Sequence, residues 1–230
     1  MNTVLNVYKR ESGKRVLIVT AVQAEMEAVL CGLRRDGNSD KGFDVLAAGV
    51  GSVAVAVSTA KMLVNTQYGL VVSAGIGGGF PGRAEVGSLV LADKIVAADL
   101  GVETSEGFSC LDELGLGATC IQVNPGLVQD MAEALLAAGL PVQIGPVLTV
   151  STVTGTLDSA AELAKRVPGA TAEAMEGYGV AVAAHEQGVP VLELRAISNL
   201  VGPRDRAAWR IKEALGVLED AGLVLKGMLL

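Results

Sequence analysis

The sequence predicts a single α/β domain built on a central, mostly parallel sheet, and three features carry that expectation. Apolar runs of strand length, such as Val16-Leu17-Ile18-Val19 and Leu70-Val71-Val72, alternate along the chain with segments of helical periodicity. These runs are continuous rather than alternating, as strands buried on both faces require. Glycine is abundant, 29 of 230 residues, while aromatic residues make up 3%. The core is therefore aliphatic and the backbone makes many close turns. No repeat, linker or change of composition divides the chain, so residues 1–230 read as one domain, with residues 1–14 a loose N-terminal extension.

The elements follow in order. Residues 16–19 form a strand, and 24–33 a helix with Met26, Val29, Leu30 and Leu33 on one side. A strand at 43–48 precedes a long helix at 52–64, and a buried strand at 69–73 runs into Gly75-Ile76-Gly77-Gly78-Gly79. A longer strand covers 86–97. Residues 102–117, rich in glycine and acids, form an exposed excursion of the kind that is often functional. Asn124-Pro125 is a cap followed by a first-turn proline, opening a helix to about residue 138. A strand at 142–150 and a short helix at 157–166 come next. Residues 173–187 read as a helix stopped by Gly188 before Pro190, followed by a strand at 191–196 and a closing helix at 206–225.

Composition excludes several functions. Eighteen basic against 25 acidic residues give a net charge of −7 and a pI near 4.8, which opposes binding to a phosphate backbone. Cys31, Cys110 and Cys120 lack C-x-x-C spacing and the only histidine is His185, so zinc and iron–sulfur sites have no ligand set. The cysteines read as reduced small hydrophobes. Lys9, Arg10, Glu11, Lys14 and Arg15 precede the first apolar run, unlike a signal peptide. The uncharged stretches 62–82 and 134–157 are interrupted by Gly, Pro, Gln, Asn and Thr, unlike membrane-spanning helices. A cytoplasmic protein with no membrane partner is expected.

Gly49-Val50-Gly51-Ser52-Val53-Ala54 fits the dinucleotide pattern G-x-G-x-x-A, but the next strand ends in Val72-Ser73-Ala74 without the acid that would hold a ribose. A tight strand–helix turn is the expectation there. The glycine run 75–79 is either a plain turn or a surface where a ligand lies against backbone groups. Glu25 stands within one turn of the first helix start, either complementing the dipole or serving a functional role. Glu176 falls on the same side as Val180 and Ala183 of an apolar helix, and a carboxylate there needs a partner, an internal arginine or a ligand's hydroxyls. Arg195, inside an apolar strand, poses the same question with opposite sign. Ser198-Asn199 lies just past that strand. Arg204, Arg206 and Arg210 gather beside Trp209, either as a charged helix start or as a site for an acidic ligand group.

Four stretches taken together resemble the nucleoside phosphorylase/nucleosidase superfamily over nearly the whole chain. They are Thr20-Ala21-Val22-Gln23-Ala24-Glu25, Ser73-Ala74-Gly75-Ile76-Gly77-Gly78-Gly79, Ala174-Met175-Glu176 and Arg195-Ala196-Ile197-Ser198-Asn199. The resemblance implies a three-layer sandwich with a central mixed, mostly parallel twisted sheet flanked by helices. It also implies cleavage of an N-glycosidic bond, no cofactor or metal, a small-molecule nucleoside as substrate, and a homo-oligomer, dimer or tetramer. Glu25 would activate the attacking water and Glu176 would hold the ribose hydroxyls. Arg195 would help order the water and its carboxylates, and Met175 would pack on the sugar. Gly77 and Gly78 would line the base, and Val153, Thr154 and Gly155 would supply backbone contacts to it.

Ala97-Ala98-Asp99-Leu100-Gly101-Val102-Glu103-Thr104 and the stretch from Ser198 to Asp205 resemble a hydrolytic branch of the superfamily that releases hypoxanthine from a nucleoside bearing a benzoate. Related methylthioadenosine-type nucleosidases carry an aspartate where this chain has Asn199. An amide donates to a 6-oxo group that a carboxylate would repel, so Asn199 favours hypoxanthine. Arg204, Arg206, Arg210 or the 102–117 loop would admit the benzoate. Three rivals stand beside this reading: a phosphorylase, for which Glu25 is badly placed because it would repel phosphate, a methylthioadenosine or S-adenosylhomocysteine nucleosidase, which Asn199 disfavours, and a non-catalytic nucleoside sensor on the same fold.

Overall fold

The computed structural model of the chain describes residues 14–37 and 40–229. All but Lys14 of the expected N-terminal extension lies outside the described residues. The elements run β1 (Arg15–Thr20), α1 (Gln23–Arg34), β2 (Phe43–Ala47), α2 (Ser52–Asn65), β3 (Tyr68–Gly79), β4 (Leu89–Ala97), β5 (Gly101–Thr104), β6 (Gly107–Cys110), β7 (Cys120–Gln122), α3 (Pro125–Ala137), β8 (Val142–Thr149), α4 (Leu157–Arg166), β9 (Ala172–Ala174), α5 (Gly177–Glu186), β10 (Val191–Leu200), a 3-10 turn (Arg206–Ala208) and α6 (Ile211–Leu229).

The mixed central sheet is ordered β2-β1-β3-β9-β8-β4-β10, and β10 also pairs with β3. Five strands, β3, β9, β8, β4 and β10, therefore close into a ring, with β1 and β2 extending the sheet from β3. Closure was not legible in the sequence. It needs two antiparallel joints, β3–β9 and β10–β4, among parallel neighbours. It also needs local irregularities, and register shifts occur in β4–β8 between Ala92 and Ile95 and in β10–β3 between Ile197 and Asn199. Val16, Leu17, Ile18 and Val19 are all buried, as are Leu70, Val71 and Val72, because helices cover both faces of these strands.

Several elements differ from expectation. The glycine run 75–79 is the second half of β3 rather than a turn. Glycine is required there by crowding: a Cβ on Gly79 would lie 2.3 Å from the Ala84 carbonyl oxygen, and one on Gly77 2.9 Å from that of Glu173. The expected helix 173–187 is a three-residue strand, β9, followed by α5, so Glu176 stands at the helix cap rather than inside the helix. Periodicity cannot distinguish so short a strand from a first helical turn. Ser198 and Asn199 belong to β10, which runs four residues past its expected end. Residues 102–117 contain the β5–β6 hairpin. Among the described residues no helix is long and apolar enough to cross a membrane.

Helices α2 and α5 meet through glycine. A Cβ on Gly179 would fall 2.1 Å from the Ser52 carbonyl oxygen. Alanine at a helix position normally gains roughly 0.8–1.0 kcal/mol over glycine, but overpacking against fixed backbone costs about 1–3 kcal/mol. Gly179→Ala is therefore expected to lower the urea midpoint, and an unchanged or raised midpoint would contradict the close contact.

Candidate active site

A cleft of about 240 Å³ opens where the carboxyl ends of β1, β3, β9 and β10 converge, the place where open α/β sheets hold ligands. Its lining includes Glu25, Gly77, Gly78, Val153, Thr154, Met175, Glu176, Ser198, Asn199 and Arg204. Gly155, expected beside them, is exposed and outside the lining. Arg206, Arg210 and the 102–117 hairpin also lie outside it. Of the arginine cluster only Arg204 reaches the cleft, with its guanidinium 5.4 Å from the Trp209 ring centre, and Trp209 lines the cleft as well.

Glu25 is buried in the first turn of α1. Its Oε2 accepts the backbone N–H groups of Ala21 (2.9 Å) and Val22 (3.2 Å), and its Oε1 accepts that of Ile76 (2.9 Å). A carboxylate has about four acceptor positions, so three are filled and the last is available to a ligand. Glu176 accepts from Gly51 N–H through Oε1 (3.2 Å) and from Met175 N–H through Oε2 (3.3 Å). The Gly51 donor is delivered by the turn before α2, where both Gly49 and Gly51 have positive φ, 99° and 92°. Only glycine adopts that backbone without strain.

Arg195 lies beneath these carboxylates, 1% exposed, and does not line the cleft. Its Nε donates to Glu193 Oε1 (2.9 Å), Nη1 to Glu176 Oε2 (3.3 Å) and Nη2 to Ser73 Oγ (3.0 Å). Burial opposes its charge, but Glu193, Glu176 and Glu25 together hold its pKa above the ordinary value. Gly75 makes room: a Cβ there would stand 2.7 Å from both Arg195 Nη1 and Glu25 Oε1. Arg195 thus touches carboxylates rather than the space a ligand would fill.

The register shift in β10 sets Asn199 opposite Gly78. Ser198 Oγ lies 2.8 Å from Asn199 Oδ1 and 3.2 Å from the Gly77 carbonyl oxygen; its single proton serves the nearer acceptor, Asn199 Oδ1, which leaves the amide N–H groups of Asn199 as its outward donors. One of them meets the Leu200 carbonyl at 3.0 Å.

Two buried acids of the site escaped the sequence reading. Glu193 is wholly buried and its Oε2 has no partner. Burial pushes its pKa up, while Arg195 pulls it back. The signal was present, since residues i and i+2 of a strand share a face, so Glu193 and Arg195 in one apolar run mark an internal ion pair. Glu173, on β9, lines the cleft and accepts from Thr154 N–H (2.9 Å) and Thr154 O–H. Among the described residues no cluster of three His, Cys, Asp or Glu is placed to hold a metal ion.

The cleft is thus lined by the carboxyl groups of Glu25, Glu173 and Glu176 and by the Asn199 amide. Comparison with known proteins places it. The Phosphorylase superfamily model matches residues 13–230, and the chain belongs to that superfamily. Within it, the chain is 52% identical over 222 residues to a futalosine hydrolase of Streptomyces coelicolor, covering 90% of this chain and 92% of that protein. It is 48% identical over 214 residues to the futalosine hydrolase of Acidothermus cellulolyticus, covering 89% and 87%. The structure of Helicobacter pylori futalosine hydrolase shares the fold, with a TM-score of 0.79 at 18% identity over 94% of this chain and 97% of that one.

Removing Arg195 would strand buried carboxylates. Breaking such a pair costs about 3–5 kcal/mol, and Arg195→Met is expected to lose that much stability at neutral pH. Glu193 would lose the group that opposes its burial, so its folded-state pKa would rise further above the unfolded value near 4.3. A raised carboxyl contributes stability below the unfolded pKa and loses it as pH rises. The deficit should therefore shrink as pH falls toward 4. A deficit independent of pH, or one under about 1 kcal/mol, would contradict this.

Proposed function

We propose that the protein hydrolyses the N-glycosidic bond of futalosine, releasing hypoxanthine and dehypoxanthine futalosine in the futalosine route to menaquinone. High identity to the futalosine hydrolases over nearly whole chains supports the substrate. The observation that carries water as the nucleophile is the placement of Glu25. Its carboxylate occupies the backbone donors of Ala21, Val22 and Ile76, which would otherwise form an anion cradle. A phosphate about 4 Å away would be repelled by roughly 1–4 kcal/mol at effective dielectrics of 80 to 20.

Cleavage builds positive charge on the ribosyl ring and negative charge on the departing base. Glu25, through its remaining acceptor position, takes the proton of the attacking water. Glu176 accepts from the ribose hydroxyls and Met175 packs on the sugar. Arg195 acts indirectly, holding Glu176 in place. On the base side Gly77 and Gly78 form the floor, Val153 and Thr154 offer backbone groups, and Ser198 fixes the Asn199 amide so that it donates to the 6-oxo group. The benzoate carboxylate meets Arg204, with Trp209 beside its ring. The enzyme works in the cytoplasm as a homo-oligomer, dimer or tetramer, through α2, whose Val53 and Val57 are exposed; a monomeric mass by light scattering would contradict the last point.

Two outcomes test this reading. Futalosine should be cleaved at the same rate with and without phosphate, and Glu25→Gln should lower kcat about 10²- to 10⁴-fold, the usual worth of a positioned base. Strict phosphate dependence would make the protein a phosphorylase, and full activity without the carboxylate would remove Glu25 from the mechanism. Separately, Arg204→Met should raise KM for futalosine about tenfold while leaving inosine, which has no benzoate, unaffected. This is the scale of one charge-assisted bond, roughly 1.5 kcal/mol or more. Equal effects on both substrates would place the benzoate elsewhere.

A further inference from the structure

Strand pairing sets three residues of the cleft in one row. Glu173 of β9 stands opposite Gly78 of β3, and Gly78 stands opposite Asn199 of β10. Residues directly opposite one another present their side chains on the same face. Glu173 and Asn199 therefore flank a position that has no side chain, about two strand spacings, ~10 Å, apart. All three line the cleft. A Cβ on Gly78 would lie 3.2 Å from Asn199 Nδ2, so the amide nitrogen leans over the gap from one side.

On the other side Glu173 is 4% exposed. Both of its partners among the described residues are on Thr154, whose N–H and O–H each take one oxygen. These bonds fix the carboxyl and use about half of its acceptor capacity. Fixing a threonine does not require an acid, and burying a carboxylate without a cation is costly. Burial pushes this carboxyl's pKa up, and the two Thr154 bonds oppose the shift. The mechanism above gives Glu173 no task.

We propose that Glu173 is a specificity-determining residue that accepts the N1–H of a 6-oxopurine while Asn199 donates to the neighbouring O6. This deepens the proposed function and rests on it. Hypoxanthine presents an acceptor, O6, beside a donor, N1–H. Adenine presents the reverse, an amino donor beside an N1 acceptor. An acceptor and a donor on opposite sides of Gly78 match the first edge and mismatch the second at both positions. Sites built to pair buried polar groups discriminate strongly for that reason.

The test compares futalosine with its analogue carrying adenine in place of hypoxanthine. Glu173→Gln keeps an acceptor for Thr154 and turns an amide donor toward the base. The ratio of kcat/KM values, hypoxanthine form over adenine form, should fall at least tenfold. A residue that only props Thr154 would lower both substrates alike and leave the ratio unchanged, which would overturn the assignment. The unaltered protein supplies a second readout: calorimetry should show 1-methylhypoxanthine binding at least tenfold more weakly than hypoxanthine, and equal binding would also overturn it. Failure of the unaltered protein to release hypoxanthine would overturn the proposed activity and this assignment with it. An unchanged ratio in an active enzyme would sink this assignment alone.

Discussion

An arginine side chain can be withdrawn from water only where its donors are met and its charge is balanced, and the way Arg195 meets both conditions organises the site. One guanidinium reaches Glu193 behind it, Ser73 beside it and Glu176 at the cleft wall, with Glu25 across the space left by Gly75. Through the guanidinium contact the Glu176 side chain is held at the cleft wall, at the cap of an apolar helix. The cation does its work from below, out of contact with any ligand, and the anionic side of the cleft is free to face a ring that becomes positive.

The backbone supplies the rest of the design. Glycines 75, 77, 78 and 79 let β3 run between β10 and β9 without side chains that would fill the cleft or strike the neighbouring strand. The irregularity at Ser198 shifts the register of β10 so that Asn199 faces Gly78. Gly49 and Gly51 bend the turn before α2 so that an amide proton meets Glu176. Each of these features places a polar group where a regular strand or helix would not.

The alternation of strands and helices, the continuous apolar runs and the Asn124 cap were legible because burial on both faces and helix capping leave local signatures. Helix α4 was read at its observed bounds, and Asn124 accepts from Leu127 N–H as its type implies. The ring closure, β7 and β9 were not legible, because three-residue strands carry too few residues to show a period and closure depends on distant pairings. For the site, Glu176 stands out as a charge on an apolar stripe, Glu25 by its place in the first turn of a helix after a strand, and Asn199 by its place just past a strand and by the family resemblance. Arg195 stands out as a charge inside an apolar strand, but its depth below the cleft depends on which face of β10 it occupies. Glu173 was absorbed into a helical pattern, and its position opposite Gly78 exists only once β9 pairs with β3.

In the proposed function Glu176, held by Arg195, accepts from the ribose while water enters beside Glu25, which is held by backbone N–H groups. A crystal structure with hypoxanthine and a cationic ribose mimic tests it most directly. Glu176 oxygens are expected within about 3 Å of the sugar hydroxyls, with a water bridging Glu25 to the anomeric position, the geometry of ordinary hydrogen bonds. A sugar seated away from Glu176, or an anion displacing Glu25 from the N–H groups of Ala21, Val22 and Ile76, would contradict it.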